Sequence, residues 1–369
     1  MHGTAHGTAS GTTEVLFVEL LGGFGDLLLA LPAVHAVARS VPGARVTVAT
    51  FDPGGELLAA DPLVTAVRTT ADHAEGAPAR FVAGLLDEHR YDLAVTTTAY
   101  GGIPDLLRGR VPRVADRLWQ RPPPDELVDE RFLRLLAAEG LVRPELVGFA
   151  PRVALRPAEV AAGAALLGGG TPVLLLPDAG MPVKRWPGWA GLVRALRDGA
   201  GSAVDGSDVD GSDVDGSDVD GWDVDGLDVA VVPGPGDDAA ARASGARLLP
   251  GLTLRGLAGL AAAVGQRGGV VVGADTGPVR LAAASGARTV GLFGPTLASR
   301  YGQRPQDGHV GLQGLPGCRV RLPNAITEQE CWWTARCPLT GADPACMADL
   351  PVADVVRAVR AAVAGRLAA

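Results

Sequence analysis

With 369 residues, the chain exceeds what one hydrophobic core usually organises, so two domains are expected. Its hydrophobic content of 47% suits a globular α/β protein. No stretch reaches the ~18 uninterrupted apolar residues of a membrane helix. The start, MHGTAHGTASGTTE, has neither a basic n-region nor an apolar h-region, so the protein is expected to stay in the cytoplasm, with peripheral membrane contact left open. The net charge is −8, but ten aspartates lie between Asp205 and Asp228, and without them the remainder carries +2. That balance excludes the clustered basic footprint of a nucleic-acid binder.

Residues 1–13 are mostly Gly, Thr, Ala and His and read as a disordered lead. Val15 to Leu21 predicts a first strand, and the turn Gly22 to Asp26 feeds a helix beginning near Leu27. Gly23-x-Gly25-x-x-Leu28 is an incomplete dinucleotide fingerprint, because leucine stands where a third glycine would permit close helix packing. Asp52, after a second strand at Arg45 to Thr50, would be the ribose acid of that nicotinamide-binding reading. Leu57 to Pro62 then predicts a helix, Val64 to Val67 a strand, Phe81 to Arg90 a helix, Leu93 to Thr97 a strand and Glu130 to Glu139 a helix. Alternation of this kind implies a parallel sheet. Gln120 to Pro124 is a proline-rich loop, and the proline-punctuated segment Pro144 to Pro157 is the candidate linker.

A second set of elements starts at Pro172. Val173 to Leu176 predicts a strand, Pro177 to Pro187 a loop and Trp189 to Arg197 a helix. The tract Gly201 to Asp228 repeats a DGSDV-like unit. Its spacing fits neither an EF-hand loop nor the nonapeptide of calcium β-rolls, so it reads as a disordered insertion rather than a calcium site. Val229 to Pro233 is the next strand, ending at Gly234-Pro235-Gly236-Asp237-Asp238, and Leu252 to Val264 is a helix. Pro351 to Leu367 predicts a terminal helix, apolar at Val352, Val355, Val356, Val359 and Val363.

The stretch Val270 to Thr296, VVVGADTGPVRLAAASGARTVGLFGPT, concentrates the chemistry. A β-branched strand runs into the turn Gly273 to Pro278, with Thr276 a candidate N-cap. An alanine-rich helix follows and stops at Gly286, and a second strand, Thr289 to Phe293, completes the sheet. In an open parallel sheet, ligands sit at the carboxyl ends of the strands, and a helix N-terminus favours anions such as a diphosphate. Asp275-Thr276-Gly277 occupies such an edge.

GADTGPVRLAAASGARTVGLFGPT closely resembles the donor-site signature of the heptosyltransferase family of GT-B glycosyltransferases (glycosyltransferase family 9). Two further motifs follow the family order: Gly22-Gly23-Phe24-Gly25-Asp26 with Leu31-Pro32-Ala33, and Pro177 to Trp186, PDAGMPVKRW. Together they extend the resemblance over roughly residues 15–360. It implies an α/β protein of GT-B architecture, with two Rossmann-like parallel-sheet domains facing across a cleft. An acceptor-side domain would span 14–150 and a nucleotide-sugar domain 151–350, with the aspartate tract 201–228 inserted. It also implies that the last helix, within 351–369, crosses back onto the first domain. The implied activity is inverting, metal-independent transfer of a heptose or related hexose from a nucleoside-diphosphate sugar, ADP-linked by preference. No cofactor is required, and the acceptor is a saccharide, as in lipopolysaccharide, or a secondary metabolite.

Sugar transfer needs a base for the acceptor hydroxyl and positive or N–H density for the departing diphosphate. Asp26 is the candidate base, carried on the acceptor-side loop of Gly22, Gly23 and Gly25; the alternative is that it caps the following helix. Lys184 is the only lysine against 32 arginines, which makes it the candidate point charge on phosphate, with Arg185 beside it; the alternatives are a chance survivor and solvated loop charge. Thr276, Gly277 and Pro278 form the phosphate turn, and Asp275 orients the sugar or caps that turn. Asp237 or Asp238 stands where relatives often carry an acid near the nucleoside ribose. Where the family usually reads D-T/S-G-x-x-H, this chain has Arg280, a permanent cation that would grip phosphate or a differently substituted sugar and puts heptose specificity in question.

Four cysteines, Cys318, Cys331, Cys337 and Cys346, have 12, 5 and 8 residues between them, which matches no standard zinc motif. Free thiols are the first expectation in a reducing compartment, a structural metal cluster the second and disulfides the third. Trp332 and Trp333 are expected in core or hinge packing. Two competing readings stand: a nucleotide-sugar epimerase of similar architecture, whose extra carboxylates and histidine are not evident, and a binding module that has lost turnover.

Overall fold

A computed structural model describes residues 11–119, 125–198, 226–235 and 239–365. It divides into two compact units, Met1–Arg156 and Pro157–Ala369. The proline-rich loop at 120–124, most of the aspartate tract, and Asp237 and Asp238 lie outside the described residues.

The first unit alternates strand and helix: β1 (Thr13–Glu19), α1 (Phe24–Ser40), β2 (Ala44–Phe51), β3 (Ala66–Thr70), α2 (Ala77–Glu88), β4 (Leu93–Thr96), α3 (Ile103–Arg110), β5 (Arg113–Ala115) and α4 (Val128–Ala138). Its sheet runs β3-β2-β1-β4-β5, with every pair parallel. Strands covered on both faces must be apolar nearly throughout, and Val15, Leu16, Phe17 and Val18 of β1 are fully buried. Chain order reverses between β1 and β4, the kind of point at which an open parallel sheet takes ligands, at the carboxyl ends of its strands.

The second unit contains α5 (Pro157–Ala164), β6 (Thr171–Leu176), α6 (Trp189–Arg197), β7 (Leu227–Val231), α7 (Ala239–Ser244), β8 (Arg247–Leu248), α8 (Leu254–Gln266), β9 (Val270–Ala274), α9 (Gly277–Ala284), β10 (Arg288–Phe293), α10 (Ala298–Tyr301), β11 (His309–Gln313), α11 (Glu330–Thr334), α12 (Ala345–Ala348) and α13 (Val352–Val363). The sheet order is β11-β10-β9-β6-β7-β8, again parallel throughout, with its reversal between β6 and β9. Helix α13 buries Val355, Val359 and Ala362 in the core of this unit, beside Leu192, Val193 and Leu196 of α6.

The structure departs from the expected elements where local pattern is weakest. Helix α1 begins at Phe24 rather than near Leu27, so Gly25 and Asp26 belong to its first turn. The helix expected at Leu57 to Pro62 is a 3-10 turn over Gly54–Leu58, because two glycines open it and Pro62 cannot donate a hydrogen bond to extend it. The second sheet does not end at β10: β11 adds an edge strand whose His309, Gly311 and Gln313 obscure its extended character. Helix α5 escaped notice because its small residues carry no apolar stripe. They serve close packing instead, and a methyl on Gly163 would collide with the Leu260 backbone of α8.

Candidate functional site

In the second unit the loops after β6 and β9 flank the point where strand order reverses, and they meet at one carboxylate. Asp275 directly follows β9 and is 5% exposed. Lys184, from the 3-10 turn Pro182–Lys184 after β6, donates to the Asp275 carbonyl at 2.7 Å and to Oδ2 at 3.2 Å. Arg280, one turn into α9 and 8% exposed, donates to Oδ1, and the Thr296 hydroxyl after β10 donates to Oδ2 at 2.7 Å. Burial alone would push the Asp275 carboxyl up, but the Lys184 ammonium and the Arg280 guanidinium, with Thr296, outweigh it and hold it at about 2.

This network leaves donors for an anion. Among the described residues Lys184 makes two hydrogen bonds, an ammonium has three N–H groups, and its side chain is 14% exposed. Thr276 holds the N-cap position of α9 as expected, but its side chain makes no cap bond, and its buried hydroxyl has no hydrogen-bond partner among the described residues. Gly277 and Pro278 open the helix, whose first-turn N–H groups, those of Gly277 and Val279 with none on Pro278, lack intrahelical acceptors. The motif residues Lys184, Asp275, Thr276, Gly277, Pro278 and Arg280 are thus brought together. Arg185 is exposed and, among the described residues, reaches the Ala179 carbonyl, at 3.4 Å.

Several residues that order this edge were not singled out in the sequence. Arg321, 7% exposed, donates to the carbonyls of Gly294, Gly314 and Pro316. Gln329 donates to the Pro295 carbonyl at 3.1 Å. Trp332 presents its ring to the Lys184 ammonium, 5.1 Å from the centroid, and Trp333 is 71% exposed, so neither has the core role expected of it. Polar and aromatic side chains in an irregular segment carry no period from which such roles could be read. The four cysteines are free and line one cavity of about 20 Å³ with Val183, Pro295 and Arg321. Burial, and then the neighbouring thiols, push Cys331 up, and burial takes Cys346 to about 11. Among the described residues, no three His, Cys, Asp or Glu side chains are grouped to hold a metal ion.

In the first unit the glycine loop also leaves the strand at which order reverses. Gly23 is the N-cap of α1, so Asp26 is not the cap; it sits at the third helical position, where a carboxylate favours the helix dipole. Its Oδ2 lies 2.7 Å from where a Cβ on Gly22 would stand, so glycine is what lets the carboxylate fold back over the loop. Below it, Glu19 is 1% exposed at the end of β1. Its Oε1 accepts the Leu21 N–H at 3.1 Å and its Oε2 the Thr50 hydroxyl at 3.3 Å. Tyr100, in the loop after β4, donates to the carbonyls of Leu20 and Leu21. Burial, and then Asp26, push the Glu19 carboxyl up to about 8. The sequence signal for Glu19 was present: a carboxylate that closes the apolar run Val15 to Val18. Leu28, at the third position of the incomplete fingerprint, is core, and Asp52 is exposed.

Residues 237–312 match the model for glycosyltransferase family 9 (heptosyltransferase). No curated protein matches by sequence. Among solved structures, the family 9 glycosyl transferase of Veillonella parvula DSM 2008 superposes with a TM-score of 0.70 at 12% identity, covering 96% of this chain and 98% of that one. The E. coli ADP-heptose LPS heptosyltransferase II gives 0.64 at 17% identity over 97% and 100%. E. coli heptosyltransferase WaaC, solved with ADP, gives 0.55 at 18% over 85% and 98%. The resemblance carried by the three motifs is borne out: this is an α/β protein of GT-B type, and the match to glycosyltransferase family 9 lies in its second unit.

Proposed function

We propose that the protein is an inverting glycosyltransferase that takes a heptose or related hexose from an ADP-linked donor. The observation that carries this reading is the buried Asp275, tied to Lys184 and Arg280 beside the N-terminus of α9, within the family-matched segment. Asp275 fixes two cations beside a turn whose Thr276 hydroxyl lacks a partner among the described residues and whose first-turn N–H groups lack intrahelical acceptors, which supports a role for them toward phosphate oxygens. These donors stabilise the diphosphate as the bond from the anomeric carbon to its oxygen breaks and the electron pair leaves with it. An acceptor hydroxyl forms the new bond to that carbon from the opposite face, and its proton passes to the Asp26 carboxylate. Arg280, in place of the family histidine, supplies permanent charge and fits phosphate better than a ring that must titrate. ADP is favoured because the solved WaaC holds ADP. Asp237 and Asp238, outside the described residues, are proposed for the ribose. The acceptor is a saccharide or a secondary metabolite, and the protein works in the cytoplasm.

The test is sugar transfer and ADP release, followed by mass spectrometry with a panel of ADP-sugars and lysate-derived acceptors, for the parent and Asp26→Asn. Donor affinity should survive in the variant while transfer falls by roughly 10² to 10⁴, the range of a lost general base. Equal transfer rates would rule Asp26 out as the base, and an absence of transfer from every ADP-sugar would leave the binding-module reading in its place.

A further inference from the structure

Two carboxyl groups share the glycine loop of the first unit, and the reaction above uses one of them. Glu19 lies beneath that loop with both oxygens engaged: Oε1 holds the Leu21 N–H and Oε2 the Thr50 hydroxyl. Neither partner carries charge, and Glu19 makes no ion pair among the described residues. The charged group that acts on it is Asp26 on α1, an acid, and Glu19 in turn acts on the Tyr100 phenol after β4. Asp26 folds back against Gly22. The backbone of Leu20 and Leu21 is therefore held by Glu19 and Tyr100, and the next residue, Gly22, carries Asp26 against it.

We propose that Glu19 is the positioning residue for Asp26: a buried, protonated carboxyl that sets the loop under the base and concentrates the negative charge of the pair on Asp26. The proposal rests on the reading of Asp26 as base. Two carboxyls sharing a site of low polarity resist carrying two charges, so one proton stays with the pair. Glu19, 1% exposed, pays the larger desolvation cost on ionising and keeps that proton, whereas half-buried Asp26 remains charged and accessible. The raised proton affinity of Glu19 agrees with this division. When Glu19 ionises at alkaline pH, a second charge appears beneath the loop, and repulsion displaces Asp26 from its position over Gly22.

The experiment is carboxyl ¹³C NMR of the full chain labelled at glutamate side chains, with Glu19 assigned by the resonance that Glu19→Gln removes. Titrated from pH 4 to 10, Glu19 should show a midpoint near 8 in the parent. In Asp26→Asn its proton affinity should fall about tenfold, since the neighbouring charge is gone. A Glu19 midpoint in the ordinary glutamate range, or one unmoved by Asp26→Asn, overturns the proposal. This measurement needs no sugar donor, so its outcome is separate from that of the transferase reading. In the transfer assay, the parent pH profile should bend downward at the Glu19 midpoint, and Glu19→Gln should lose that bend. A bend retained at the same pH would show that Glu19 is structural only.

Discussion

Lys184 Nζ lies 2.7 Å from the Asp275 carbonyl oxygen and 3.2 Å from its Oδ2, so the only lysine in the chain joins the loop after β6 to the loop after β9. On the function proposed here the contact fixes the ammonium for a phosphate, with one N–H beyond its two bonds to Asp275, and the Trp332 ring further limits its motion.

Lys184→Ala should weaken ADP binding far more than adenosine binding, because the ammonium addresses phosphate charge and not the base. Calorimetry with the two ligands measures this. Losing one partner of a buried pair also costs stability, on the order of 3–5 kcal/mol where the remaining charge has no second partner; Arg280 still holds Asp275, so the loss should fall below that range. Equal losses of affinity for both ligands would reduce Lys184 to a loop support.

Asp275 sets an acid limit on the second unit. Its carboxyl is depressed to about 2 in the fold against an ordinary 3.8, so its stabilisation is fully present above about pH 4 and is lost as pH falls through about 2. A shift of this size corresponds to about 2 kcal/mol. Asp275→Asn should be less stable than the parent at pH 7, since it strands two buried cations, and the gap should narrow between pH 4 and 2. Urea unfolding at stepped pH measures it. A gap independent of pH would mean that the carboxylate charge is not what holds the loops.

Gly22→Ala tests the loop geometry without removing the carboxylate. The added methyl would stand 2.7 Å from Asp26 Oδ2, so the side chain must turn away. The unit should still fold, because no positive φ is required at Gly22, and transfer should drop at least tenfold with donor affinity held. Gly23→Ala is the internal control, because a Cβ there meets nothing within 4 Å. Equal rates in the two variants would show that the position of Asp26 over Gly22 is unimportant.

The aspartate repeat should be dispensable. It has few apolar residues to bury, and its calcium and disordered-insertion readings both lie outside the described residues. Replacement by a Gly/Ser linker should span 206–225 and spare Gly226, whose carbonyl accepts the Thr171 N–H at 3.0 Å as β7 begins. Stability and ADP affinity should stay nearly unchanged, since loop length affects closure entropy only weakly. A loss above about 2 kcal/mol would make the tract structural.

Much of the fold was legible because buried parallel strands must be apolar along their whole length. Val270 to Val272, Val173 to Leu176 and Val15 to Val18 are all found where those runs predict, and glycine turns mark where each strand leaves its sheet. The short elements were not legible: β5, β8 and β11 owe their extended form to pairing with an existing strand rather than to their own residues.

The sequence by itself determined which residue types stand at the carboxyl ends of the strands: a lone lysine, an aspartate before a helix, and an aspartate in a glycine turn. Those identities are local, and motif order is enough to find them. Only the tertiary structure decided that Lys184 and Arg280 converge on the same carboxylate, and that Glu19 lies under the loop of Asp26. Lys184 and Asp275 are 91 residues apart, and what joins them is the reversal of strand order between β6 and β9. That adjacency is a property of sheet topology, and no local pattern in the chain encodes it.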